Sequence, residues 1–473
     1  MLLLAVSRLL QLALVFASIK IATTLMPPAE MARVYLITSL FSITALLFIN
    51  PAGMFVNRRL NVWNENGTVR GHFVLFWLYA VAVGLFVYLL LAAIASTQIL
   101  PFPPDGLLAA VVAGTLASAT FNQTVVPGLN LLGHRNWFNL LTVFTGAIGL
   151  LVSVWAITHF SRRAEFWQFG VICGNFVVAL WGCKLFYDKL NGRREPVRLT
   201  KTQLATAAAF ALPIAATVGL GWVQSQSYRF IMESSLGLHE LGLFASGYGI
   251  SVGLISAFES IFNAYLYPRF YKRISSHALV DQSEAWKEYA QAMFPSLMLV
   301  GALIFSTAPE LARTMLGPEF HSAHEYVGWG VVAELARVGA AVYAMVAHAR
   351  MNTRLLLVPA LVGAALSLTL IAWWLPLFAS KGVGAALMLS SVTVFVLTLL
   401  ATRRQLTTRF PLDRLMMGLA MGLGLFGLSE FLRWMAFDTG LATTLLHLGM
   451  VGLAFVGLQF VLLKPVMRIG QAS

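Results

Sequence analysis

Charge is what this 473-residue sequence has least of, with 11% of its residues ionisable as Asp, Glu, Lys or Arg against 59% apolar ones. A water-soluble domain of that length needs far more polar surface, so the composition excludes one and makes lipid the solvent. Long polar intervals are equally scarce. Apolar runs of about 20 residues, the length an α-helix needs to cross a hydrocarbon core of about 30 Å, recur from end to end. Runs this continuous do not alternate as barrel strands do, and in lipid a helix satisfies its own backbone polar groups. The fold class that follows is all-α, a polytopic integral membrane protein.

Two cysteines are present, Cys173 and Cys183. Ten residues apart on one predicted helix, they are separated by about 15 Å, beyond the reach of a disulfide, and read as packing residues. No Gly-rich phosphate loop, Ser-His-Asp order or HExxH motif occurs, and the loops are too short to form a nucleotide-sugar domain. His321 and His324, between Glu319 and Glu325, have a spacing that a metal uses but lack the arrangement of a known metal motif. The expectation is therefore no enzyme, no metal and no cofactor, with proton or sodium coupling left open.

What is present is a regular series of fourteen predicted spans. They cover residues 3–26, 34–56, 72–96, 107–132, 137–159, 167–187, 204–226, 241–266, 290–308, 326–347, 355–376, 384–401, 415–434 and 441–463. With the N-terminus inside, 22 Lys and Arg lie in or at the edges of the even-numbered loops and the C-terminal tail, against 7 at the odd-numbered loops. That bias places both termini in the cytoplasm. The net charge of +13 then reads as a topology signal and as contact with anionic headgroups of the bilayer, not as nucleic-acid binding. The N-terminal stretch has no basic n-region, carries Arg8 and Lys20 within its apolar run and ends in Met26-Pro27-Pro28, so it is expected to be a first span and not a signal peptide.

The basic interval 191–203 divides the chain. It separates residues 1–190, with spans one to six, from residues 204–401, with spans seven to twelve, and residues 402–473 hold spans thirteen and fourteen and a tail. A faint internal repeat supports that division, since Glu30 just before span two has a counterpart in Glu240 just before span eight, 210 residues on.

Several stretches carry a resemblance. Ser7-Arg8-Leu9-Leu10-Gln11-Leu12, the Glu30 loop, Asn50-Pro51-Ala52-Gly53 leading into Asn57-Arg58-Arg59, Trp222 to Phe230, Gly242-Leu243-Phe244 and Leu316-Gly317-Pro318-Glu319-Phe320 follow one another in order along nearly the whole chain. Together they resemble the polysaccharide and O-antigen flippase branch of the multidrug/oligosaccharidyl-lipid/polysaccharide exporter superfamily. The resemblance implies two six-helix lobes around a central cavity, with an accessory helix pair formed by spans thirteen and fourteen. It also implies movement of a lipid-linked oligosaccharide between leaflets of a bacterial inner membrane, beside other polysaccharide assembly proteins. The sequence departs from the family where Tyr228, in place of an acid, precedes Arg229.

Ionisable residues within spans are the candidates for transport chemistry, because each costs roughly 2.5–3.5 kcal/mol to insert. Arg8 lies inside span one beside a polar stripe of Ser7, Gln11 and Ser18, and its planar guanidinium suits a pyrophosphate as well as it suits snorkelling to headgroups. Lys20 is a second cation on the same span, about 120° round the helix, and Arg58 at the inner end of span two is either an entrance group or an anchor. Span seven contains Pro213, Gly219 and Gly221 and then the polar run Gln224 to Arg229, so Gln224, Tyr228 and Arg229 are expected to line a cavity or gate. Glu334 with Arg337, and Glu430 with Arg433, stand three apart and read as structural pairs. Glu259, with Asn263 one turn on, has no cation near it in sequence and is the candidate for ion coupling.

Three other functions compete with a flippase for lipid-linked, anionic oligosaccharide. A drug or cation exporter of the same fold would favour acids over the cations seen here. A membrane glycosyltransferase or polymerase would need a large outer loop with paired carboxylates, and the first outer loop contains only Glu30. A scaffold with a degenerate cavity is the third.

Overall fold

The computed structural model describes residues 2–97, 106–189, 215–274, 279–349, 352–405, 412–435 and 440–469. Among them every extended element is helical and no strand occurs. Helices Leu2–Leu25, Pro28–Thr44 running on through Asn50–Glu65, Val69–Thr97, Gly106–Leu131, Arg135–His159 and Ala164–Lys189 supply spans one to six. Residues 215–236 and 238–274 supply spans seven and eight, and Leu279–Ser306 and Val327–Ala349 spans nine and ten. Residues 357–378 and 380–402 form spans eleven and twelve, and Leu412–Met435 and Leu441–Ile469 complete the series. Eleven of these stretches are long and apolar enough to cross a membrane; two of the eleven are pairs of spans, and span one adds a shorter apolar helix, Leu10–Leu25. The fourteen-span reading is thereby met, although the basic interval 191–203 lies outside the described residues.

The breaks have local causes. Span two widens into a π turn over Ala45–Ile49 immediately before Asn50-Pro51. Proline has no N–H to donate and its ring crowds the carbonyl four residues back, and a wider turn relieves both. Span seven continues well past its expected end at residue 226, through a turn at Ser227, and stops at Gly237, whose φ of 84° is a conformation glycine adopts without a Cβ penalty. Glu240 consequently falls in the first turn of span eight, as Glu30 does in span two.

The chain forms two compact units, Met1–Trp222 with Glu233–Gly242, and Val223–Met232 with Leu243–Ser473. In the first, spans five and six pack with almost no side chain between them. A Cβ on Gly170 would collide with the backbone of Ser153, and one on Gly174 would meet the Gly149 backbone nitrogen at 2.6 Å. Small residues let helices in lipid approach this closely, and hydrogen bonds such as Ser153 Oγ to the Trp167 carbonyl (2.7 Å) join them. In the second unit, Leu299, Leu425, Val451 and Leu462 form a core shared by spans nine, thirteen and fourteen. Large apolar side chains such as Leu151, Leu453 and Trp434 instead point outward and are 70–82% exposed, as expected where the surroundings are hydrocarbon.

Contacts at the span ends agree with alternating crossings. Within the first unit the Ala164 N–H donates to Glu30 Oε2 (2.8 Å), joining loops one and five, and Arg70 donates to the Tyr187 carbonyl (2.9 Å), joining the ends of spans three and six. Within the second, Lys381 pairs with Glu325 at 3.6 Å, joining loops eleven and nine. Odd loops meet odd loops, as they must if each helix crosses once.

Candidate functional site

In the first unit, spans one, five and six line an open-sided cavity of about 430 Å³. Gln11 and Ser18 face it from span one, Thr142, Thr145 and Ser153 from span five and Asn175 from span six, with Leu14, Val15, Ile19, Leu150 and Val171 supplying apolar wall. Of the polar stripe of span one, Gln11 and Ser18 line this cavity within the first unit and Ser7 is buried. The wall is fixed by hydrogen bonds. Thr145 Oγ1 gives its proton to the Leu141 carbonyl (2.9 Å) and accepts from Asn122 Nδ2 (3.1 Å), whose amide also donates to the Asn175 carbonyl (3.2 Å). Such a site offers neutral hydrogen-bonding groups on an apolar surface and has the volume of a small-ligand pocket. Thr142, Thr145, Gly146, Gly149 and Ser153 were missed in the sequence, yet their three-to-four-residue spacing puts small and polar side chains on one face of span five.

Three of the predicted cations, Arg8, Lys20 and Arg58, belong to this unit. Arg8 is on the helix of span one and Arg58 on the inner end of span two, and both side chains lie outside the described ones. Lys20 is half-buried on span one, its carbonyl accepting from Thr24 Oγ1 at 2.7 Å.

In the second unit the polar run of span seven is packed into neighbouring helices. The Gln224 carbonyl accepts from Ser367 Oγ of span eleven (3.0 Å), and a Cβ on Gly363 would stand 2.8 Å from Gln224 Oε1. Tyr228 is 1% exposed, its ring 5.4 Å from that of Phe244 and 6.1 Å from that of Tyr248. Arg229 lies over the Tyr228 ring, 5.7 Å from its centroid, and its Nε donates to Tyr228 Oη at 3.3 Å. Tyr228 thus presents both its ring face and its hydroxyl to the Arg229 guanidinium.

Glu259 does have a cation partner, which comes from another helix. Arg337 of span ten donates from Nε to Glu334 Oε2 (2.7 Å) and from Nη2 to Glu259 Oε2 (2.8 Å). One turn along span eight, Asn263 Oδ1 accepts from Tyr289 Oη (2.8 Å). Two carboxylates share one guanidinium, and the triad has a surplus negative charge when both are ionised. No group of three or more metal-ligating side chains occurs among the described residues.

No family model matches the sequence, and no curated protein gives a significant match to it. Solved structures do share its fold. The lipid II flippase MurJ in an inward closed conformation is 13% identical, with a TM-score of 0.63 over 99% of this chain and 99% of that one. A multidrug resistance MATE family transporter of the MOP superfamily, inward-facing, is also 13% identical with a TM-score of 0.63, over 84% of this chain and 94% of its own. An outward-facing structure of such a transporter gives 0.55 at 12% identity, over 85% and 94%. The fold of this chain is the one these exporters have.

Proposed function

We propose that this chain is a flippase that carries a lipid-linked, anionic oligosaccharide from the inner to the outer leaflet of a bacterial cytoplasmic membrane by alternating access. The observation that carries this reading is the extent of the fold likeness. It runs the full length of the lipid II flippase, while the likeness to the inward-facing drug exporter leaves about a sixth of this chain unmatched, roughly the length of spans thirteen and fourteen. Arg8, Lys20, Arg58 and Arg229 supply positive charge for a pyrophosphate, and Gln11, Gln224 and Tyr228 supply hydrogen bonds to the glycan. Glu259, in its triad with Arg337 and Glu334, takes up the coupling proton or sodium ion. Both termini are cytoplasmic, and the O-antigen or polysaccharide repeat units made by neighbouring assembly proteins are the cargo.

The surplus carboxylate of that triad favours a second reading, a drug or cation exporter, because acids inside a transporter attract cations. One experiment separates the two. Surface glycan is measured in a deletion strain complemented with the wild-type chain or with Arg8→Ala at equal membrane abundance, and purified protein in liposomes is offered a labelled lipid-linked glycan and a fluorescent organic cation. Restored glycan with the wild type but not with Arg8→Ala, together with flipping of the lipid-linked glycan, is the result expected. Unchanged surface glycan on deletion, with uptake of the cation alone, would establish the exporter in its place.

A further inference from the structure

A second ionic cluster, unconnected with the candidate site, ties spans thirteen and fourteen to the rest of the second unit. It is built where span nine ends at Ser306 and a short helix, Ala308–Met315, begins. Glu310, in the first turn of that helix and 7% exposed, accepts from Arg433 of span thirteen through Nη2 to Oε2 (2.9 Å) and Nε to Oε1 (3.1 Å). Arg433 also donates to the Ser306 carbonyl (2.6 Å) and pairs with Glu430 on its own helix. His447 of span fourteen, 8% exposed, closes the cluster, with Nδ1 3.3 Å from Glu310 Oε1 and Nε2 2.9 Å from Ser429 Oγ. Ser429 is itself fully buried, 3.1 Å from the Ser306 carbonyl.

This arrangement accommodates the imidazole in two protonation states without moving a heavy atom. In the neutral ring Nδ1–H donates to Glu310, and the Ser429 hydroxyl turns to donate to Nε2; the Ser306 carbonyl keeps its bond from Arg433. In the imidazolium Nε2–H donates to Ser429 Oγ, and the hydroxyl proton turns to the Ser306 carbonyl, which can only accept. Charge decides between the states. The groups facing His447 are Glu310 from the short helix and Glu430 and Arg433 from span thirteen, while span nine presents a carbonyl. Glu310 and Glu430 share the one guanidinium of Arg433, which leaves a surplus negative charge in the cluster that the imidazolium cancels; of the two acids Glu430, 47% exposed, is the better solvated. The contact from Nδ1 to Glu310, charge-assisted through the carboxylate in either state, then joins two full opposite charges.

We propose that His447, held between Glu310 and Ser429, is a proton-binding site whose loading strengthens the attachment of span fourteen to the short helix after span nine. Loops nine and thirteen are outer loops in the orientation set by the basic residues, so the site reads the pH on the outer side of the membrane. The inference holds whatever the transported substrate is.

The test uses the full chain in lipid nanodiscs, with Cys173 and Cys183 replaced by serine and spin labels at Glu319→Cys, just beyond the short helix, and at Leu445→Cys on span fourteen. Both label positions are exposed. The distance distribution is recorded from about pH 5 to 8. The expected result is one narrow distance at acid pH and a growing longer population as pH rises, the ratio of attached to released forms changing by at most about tenfold per pH unit for a single proton. His447→Gln, which keeps a hydrogen-bonding head without the titration, and Glu310→Gln, which removes the charge opposite it, should each flatten that dependence; the second variant serves if the first does not fold. A wild-type distribution that does not change with pH overturns the proposal, and so does an undiminished response in either variant.

Discussion

Arg337 of span ten reaches Glu259 of span eight at 2.8 Å while still holding Glu334 one turn away on its own helix. The guanidinium fork makes this possible, because it offers separate donors in fixed directions to two acceptors. Arg337→Ala should leave two carboxylates with no cation, one of them on a residue only 7% exposed. Breaking a fully buried pair costs roughly 3–5 kcal/mol, but the Arg337 side chain is 42% exposed, so a loss of about 2 kcal/mol is expected after solvent screening. Thermal unfolding in nanodiscs measures it, and adding Glu259→Gln to Arg337→Ala should recover part of the loss.

The close approach of spans five and six predicts a sharp contrast among glycines. Gly174→Val places side-chain atoms against the Gly149 backbone and should abolish folded, membrane-inserted protein. Gly424→Ala on span thirteen meets nothing within 4 Å and should fold as well as wild type or slightly better, since alanine is the better helix former by about 1 kcal/mol. Yield of monodisperse protein on size exclusion gives the comparison directly.

Filling the cavity of the first unit should impair transport more than stability. Gly146 lines it opposite Leu14, and Gly146→Leu projects four carbon atoms into the space. If the cavity takes part in substrate movement, glycan flipping in liposomes falls about tenfold, equivalent to about 1.4 kcal/mol, while the unfolding temperature changes little. Unaltered flipping would remove the cavity from the transport path.

The orientation is open to chemical labelling. In a cysteine-free background, Ser161→Cys in loop five should react with a membrane-impermeant maleimide added to intact cells, and Asn66→Cys in loop two should react only after the membrane is opened. The reverse pattern would invert the topology and move the His447 site to the inner face.

Span number and fold class were legible because the bilayer imposes them on the chain locally. Each segment must be apolar for about 20 residues whatever its neighbours are, so a count of apolar runs suffices. The polar stripe of span one was legible for a related reason, since helical periodicity alone puts Gln11 and Ser18 on one face. The partner of Glu259 was not, as it stands 78 residues away and no local pattern pairs it with Arg337. The same holds for Glu310, which lies just past the predicted end of span nine and is joined to Arg433 across 123 residues.

The sequence by itself determined that the chain is all-helical and crosses lipid some fourteen times, because insertion energy acts on each segment separately. Tertiary structure alone decided which spans touch, which carboxylates share a guanidinium and which imidazole meets a buried serine. Those choices depend on the rotation and depth of each helix against its neighbours, set by packing between residues far apart in the chain.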